Sequence, residues 1–152
     1  MRGMQNAKRK LSQEQAIELL RSGEFGVLST VCDDGLPYGI PLNYAVDGTY
    51  TVYFHGAKTG QKLDNLRTNN RACLTVVPTA TVDEDGVTTR YESVMAFGTA
   101  AVVTDETEKR RALALLLEKF SPSTKETYID KFIADTAVVR LEIEYISGKA
   151  NR

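Results

Sequence analysis

The sequence predicts a mainly β fold with helices packed outside it, an α+β arrangement of antiparallel strands closed into a barrel or a curled sheet. Three observations carry this expectation. Strand-like segments rich in β-branched and aromatic residues come in runs, as in Phe25–Val31, Leu36–Tyr44 and Thr49–Phe54. Short acidic-glycine turn signals separate them: Asp33-Asp34-Gly35, Asp47-Gly48 and Asp83-Glu84-Asp85-Gly86. Helical patterns occur only at the start, in the middle and near the end, so the strict β-α alternation of a doubly wound sheet is absent.

Residues 1–10 are basic and polar and are expected to form a flexible, solvated tail. Ser12, with Gln15 three residues on, has capping-box spacing for a first helix whose apolar face is Ala16, Ile17, Leu19 and Leu20. Ser22-Gly23 ends it. Three consecutive strands then form a meander, the second of them interrupted by Pro37 and Pro41. Proline inside a strand places that strand at an edge or a bulge. A basic helix runs to about Asn69, followed by strands over Ala72–Val77 and Arg90–Val103 that flank a hairpin tip. Gly98 interrupts the second of these and suits a bulge or barrel corner. Thr104, Glu106 and Thr107 open a helix through Phe120, and Ser121-Pro122 stops it. A short helix over Glu126–Phe132 and a last strand over Thr136–Ile146 complete the chain, with a short polar end from Ser147.

The stretch from Tyr53 to Leu66, YFHGAKTGQKLDNL, stands out chemically. A strand ends in a small-residue turn and opens the basic helix, with Thr59 as its expected N-cap. Lys58 and Lys62 sit at the helix start, where the dipole already carries about half a positive charge and cations are disfavoured. Free amides, dipole and two ammonium groups together suit a phosphate. The same residues also read as two solvated lysines on an ordinary helix.

Composition narrows the function classes. A length of 152 residues suits one domain, and a net charge of −1 removes the general electrostatic case for nucleic acid or an anionic membrane surface. The basic N-terminus has no apolar segment behind it, so it does not read as a secretory signal, and a cytoplasmic location is the default expectation. Cys32 and Cys73 are isolated and read as reduced, buried thiols, and a lone histidine offers no metal-ligand spacing. No nucleophile elbow or catalytic triad order is present.

The chain resembles the FMN-binding split-barrel proteins of the pyridoxamine 5′-phosphate oxidase-like group, in the 5-nitroimidazole-resistance-like branch. The matching residues are Gly35-Leu36-Pro37-Tyr38 with Pro41-Leu42-Asn43-Tyr44, then Tyr53-Phe54-His55-Gly56-Ala57 with Gly60, Lys62 and Asp64. Tyr91-Glu92-Ser93-Val94, Gly98 and Gly148-Lys149 extend the match over most of residues 11–149. The resemblance implies one FMN-binding domain over 11–149, a six-stranded antiparallel Greek-key split barrel, and a homodimer holding FMN at the subunit interface. It implies that Phe54, His55, Gly56, Ala57, Lys58 and Lys62 surround the FMN phosphate. Pro41, Leu42, Asn43 and Tyr44 would run along the ring system, and Ser93 would hydrogen-bond the cofactor. His55 is the one imidazole; it would stand near the cofactor or a substrate, or simply bond within its turn. Arg90 and Tyr91 could line the same cleft, and Lys149 could reach the cleft of a subunit.

The implied function is an FMN-dependent oxidoreductase taking electrons from a donor such as NAD(P)H to a small nitroaromatic or quinone-like acceptor. The alternative is a flavin or haem carrier without turnover, with His55 as the available axial ligand. Pyridoxamine phosphate oxidation itself is disfavoured, because the chain has no Trp and lacks an Arg-rich end.

Overall fold

The computed structural model describes residues 1–152 and contains one antiparallel sheet with helices against it. The strands are β1 (Phe25–Val31), β2 (Pro37–Asn43), β3 (Ala45–Asp47), β4 (Thr51–Ala57), β5 (Arg71–Val82), β6 (Thr89–Val102) and β7 (Thr136–Asn151). The α-helices are α1 (Gln13–Ser22), α2 (Gln61–Thr68) and α3 (Glu106–Phe120), with 3-10 turns at Ala7–Arg9, Glu126–Lys131 and Ile133–Asp135.

The sheet order is β2-β1-β5-β6-β7-β4-β3. β5, β6 and β7 follow one another as neighbours, and β4 lies on the far side of β7, which is a Greek key. β2 and β4 touch although four strands separate them in the sheet, so the sheet curls into a split barrel. The inside is filled by Leu28, Val52, Phe54, Leu63, Leu74, Val94, Val139 and Leu141. A second cluster under α3 joins Tyr53, Val103, Leu113, Ile129 and Val138. Both faces of β7 are therefore covered near its start, which explains the unbroken apolar run Ala137-Val138-Val139.

There are seven strands where the resemblance implied six. The extra one, β3, arises at Tyr44. This tyrosine is fully buried and its hydroxyl donates to the Leu20 carbonyl at 2.5 Å. That anchor turns the chain from one sheet edge to the other, so the expected three-strand meander is split. β2 pairs with β1, while β4 pairs with β3 and β7.

Other boundaries also moved. β7 continues to Asn151, because Ser147–Asn151 pair with Tyr91–Met95 and Gly148 sits against α1. The last part of the expected tail is held too: Lys10 bridges Lys149, and the Leu11 amide donates to the Gly148 carbonyl at 3.0 Å. The Ser12–Gln15 capping box is present in both directions. Asp105, rather than Thr104, caps α3 by accepting from the Glu108 amide. At Gly98 the β6–β7 register shifts, and an added Cβ would lie 1.7 Å from the Glu142 carbonyl oxygen, so only glycine fits that corner. Both cysteines are free thiols and are only half-buried.

Candidate functional site

β4 and α2 build the site. β4 ends at Ala57, and the chain turns through Gly60, whose φ of +139° is open to glycine alone. Gly60, not Thr59, is the N-cap of α2, and no side chain caps the helix. The amides of Gln61 and Lys62 therefore have neither an intrahelical nor a side-chain acceptor, while Leu63 donates to the Gly60 carbonyl.

α2 is held in place by Leu63 and Leu66 in the core and by Asn65, which is buried. Asn65 donates to the Thr30 hydroxyl at 3.0 Å and accepts from the Gln61 amide group at 2.7 Å. This side-chain lock on the helix was not apparent in the sequence, where Asn65 looked like a polar interruption between leucines.

Lys62 is only 8% exposed. Its stem folds back over β4, and its Nζ would stand 3.0 Å from a Cβ on Gly56, so the missing side chain at Gly56 is the space the ammonium occupies. The ammonium is in no salt bridge or hydrogen bond within the chain. No fully buried side-chain nitrogen or oxygen lacks a partner, so the tip of Lys62 still reaches solvent. A withdrawn cation over a glycine, with free helix amides beside it, suits an anion.

His55 sits next to this slot. Its imidazole pKa is lowered, first by desolvation and then by the charge of Lys62, so the ring is neutral near pH 7. His55 and Asn43 lie together on a cavity of about 170 Å³ whose apolar walls come from α3 and the turn after it, through Leu113, Leu116, Phe120 and Phe132. Asn43 is fixed by donating to the Glu24 carbonyl at 3.2 Å. Pro41, Leu42 and Asn43 are on β2, an edge strand with β1 as its single neighbour, so one row of its backbone groups faces away from the sheet.

The remaining expected residues divide. Tyr44 and Phe54 are fully buried and packed on each other at 6.4 Å between ring centres, so their side chains serve the core. Ala57 is exposed at the end of β4. Lys58 faces a separate groove with Glu106 and Lys109, and the structure does not bring it to Lys62. Arg90 is paired with Asp83 across the hairpin at 2.8 Å. Ser93 is on the outer face of the sheet, opposite Lys149. His55 pairs with Val138, and Ser93 with Lys149, which are 149 − 138 = 11 residues apart on β7. That is roughly 35 Å of strand, so within one chain Ser93 is remote from His55 and Lys62.

Sequence reasoning missed Lys119, in the last turn of α3. Its ammonium donates to the carbonyls of Tyr44 at 3.0 Å, of Arg21 at 3.4 Å, and of Gly23. It also lies 4.5 Å from the centre of the Tyr44 ring. Desolvation lowers its pKa. The only hint in the sequence was a cation where a helix C-terminus favours one.

Comparison with known proteins places this geometry. Residues 12–150 match the family described as pyridoxamine 5′-phosphate oxidase. No curated protein matched the sequence significantly. Among solved structures, a candidate 5-nitroimidazole antibiotic resistance protein from Bacteroides thetaiotaomicron superposes with a TM-score of 0.80 at 24% identity, covering 92% of this chain and 85% of that one. The flavocytochrome Anf3 from Azotobacter vinelandii gives 0.81 at 22% identity, over 99% and 72% of the two chains. A FAD- and haem-binding protein from Mycobacterium smegmatis gives 0.76 at 23% identity, over 95% and 74%. At such identities these structures establish the fold, and the sequence match over nearly the whole chain establishes the lineage: the chain belongs to the pyridoxamine 5′-phosphate oxidase family of split-barrel proteins.

Proposed function

We propose that this chain binds FMN as a homodimer and acts as an oxidoreductase between a reduced donor such as NAD(P)H and a small nitroaromatic or quinone-like acceptor. The observation that carries the reading is Lys62: a withdrawn ammonium without a partner in the chain, at the uncapped start of a helix. One ammonium and one short helix terminus match a single terminal phosphate. The similar structures described as a flavocytochrome and as FAD- and haem-binding support a flavin in this fold. Bound FMN would supply the two-electron chemistry.

The chain's own residues hold and orient. Lys62 and the first amides of α2 grip the phosphate, and Gly56 leaves room for the lysine. The free edge of β2 at Pro41–Asn43 offers backbone groups to the ring's polar rim. Neutral His55 and Asn43 present hydrogen-bonding atoms at the mouth of an apolar cavity that excludes water from a small acceptor.

A second copy follows from the same reading. The resemblance puts Ser93 at the cofactor, and Ser93 is far from Lys62 in its own chain, so a partner's end of β6 would supply it. The outer face of the sheet offers an interface: Phe25, Val27, Met95 and Tyr145 are large, apolar and exposed there. No helix is long and apolar enough to cross a membrane, and a cytoplasmic setting accompanies this proposal.

Haem is the second reading, because a neutral His55 beside an apolar cavity is in the ligating form. The absorption spectrum of the protein as purified separates the two. We expect flavin bands, bleached by NADPH and restored by a nitroaromatic acceptor; a Soret band with no flavin would overturn the FMN assignment.

A further inference from the structure

The opposite end of the molecule carries an unbalanced cluster of cations. The 3-10 turn Ala7–Arg9 and Lys10 lie against the end of β7 and line an open cleft of about 510 Å³ with Asn151 and Arg152. No acidic side chain lines this cleft. Arg152 is already matched by Glu92 at 2.8 Å, but Lys8, Arg9, Lys10 and the adjacent Lys149 enter no ion pair. Lys149 stands 5.6 Å from the Tyr91 ring centre. Lys149 first, and also Arg9, hold the Tyr91 phenol below its ordinary pKa. Four unpaired cations beside one another repel unless an anion is shared among them.

We propose that Lys8, Arg9, Lys10 and Lys149, with the Tyr91 hydroxyl, form a site for the phosphate groups of a nicotinamide dinucleotide donor. The proposal rests on the oxidoreductase reading above. Its place fits: Lys149 is the register partner of Ser93, the residue that a second subunit would bring to the cofactor. Phosphates held here leave the nicotinamide end free to extend toward that junction. An arginine gives the forked contact that phosphate oxygens favour, and three lysines add mobile point charges. Contacts this exposed weaken with salt.

The test uses the FMN-loaded dimer and inorganic pyrophosphate, followed by calorimetry, with NADPH kinetics and FMN affinity measured alongside. We expect pyrophosphate to bind, its affinity to fall about tenfold in the double variant Lys8→Ala/Lys10→Ala, and to be kept in Lys8→Arg/Lys10→Arg. The KM for NADPH should rise by a similar factor in the alanine variant while the FMN dissociation constant stays put. Absence of pyrophosphate binding to the parent protein, or affinity untouched by the alanine pair, would overturn the site. Pyrophosphate binding lost with the KM for NADPH unchanged would overturn the donor assignment. Failure of the parent protein to bind FMN would instead sink the functional reading, and the pyrophosphate titration of the flavin-free protein would then decide the site by itself.

Discussion

Two lysines withdraw from water, one at each kind of helix end, and they do so under different terms. Lys119, at the end of α3, spends its three hydrogens on the carbonyls of Arg21, Gly23 and Tyr44 and rests on an aromatic ring. Lys62, at the start of α2, is more deeply covered and has no such partners in the chain. The first is a tie between α1, the β2–β3 corner and α3. The second is half of an interaction. Burying a charge is costly unless it is paired, so a cation left unpaired beside free helix amides marks a place for a ligand anion, whereas a satisfied cation marks structure.

The contrast can be broken by substitution. Lys62→Glu reverses the charge at the slot and should weaken FMN binding by at least about 100-fold, roughly 2.7 kcal/mol, with the far-ultraviolet circular dichroism unchanged. FMN affinity within a few-fold of the parent would remove the phosphate assignment. Lys119→Met should do the reverse. It leaves the Gly23 and Tyr44 carbonyls without their donor and should cost about 2 kcal/mol of stability in urea titrations. Unchanged stability there would show that the tie is dispensable. Gly56→Ala probes the slot more gently. The new methyl would stand 3.0 Å from the Lys62 ammonium and displace it, so FMN affinity should fall about fivefold while the fold holds.

The smallest effect is a titration. His55 is the single histidine, so its ring signals are unambiguous by NMR. Its pKa is lowered in the folded chain, so the neutral ring is favoured by folding. That contribution is present above the ordinary value near 6.5 and is lost as pH falls through the lowered folded value. A bound phosphate offsets the charge of Lys62 and should raise the His55 pKa. A His55 pKa that does not move on adding FMN would separate the histidine from the site.

Much of the fold was legible because it is written in local chemistry. The Ser12–Gln15 box and the Asp33-Asp34-Gly35 turn each depend on residues within a few positions of one another, and the Gly98 corner shows as a glycine inside a strand although what it meets is the distant Glu142 carbonyl. What stayed hidden depends on distant partners. Tyr44 looked like a strand residue, yet its bond to Leu20 turns the chain across to the other sheet edge and creates β3. β7 runs to Asn151 because β6 and α1 are there to receive it. At the site, the charge anomaly at Lys62 was visible in the sequence, whereas its burial over Gly56 was not. Lys58, which looked equivalent by spacing, faces a different groove. Asn65 and Lys119 could not be picked out, since their roles exist only in relation to Thr30, Gly23 and Tyr44.

The phosphate claim is tested most directly by comparing FMN with riboflavin, which differ by that group alone, in flavin-fluorescence titrations of the parent protein and of Lys62→Met. The account predicts FMN at least about 30-fold tighter than riboflavin in the parent, with most of that preference gone in the variant. Equal affinity for the two flavins in the parent protein would contradict it.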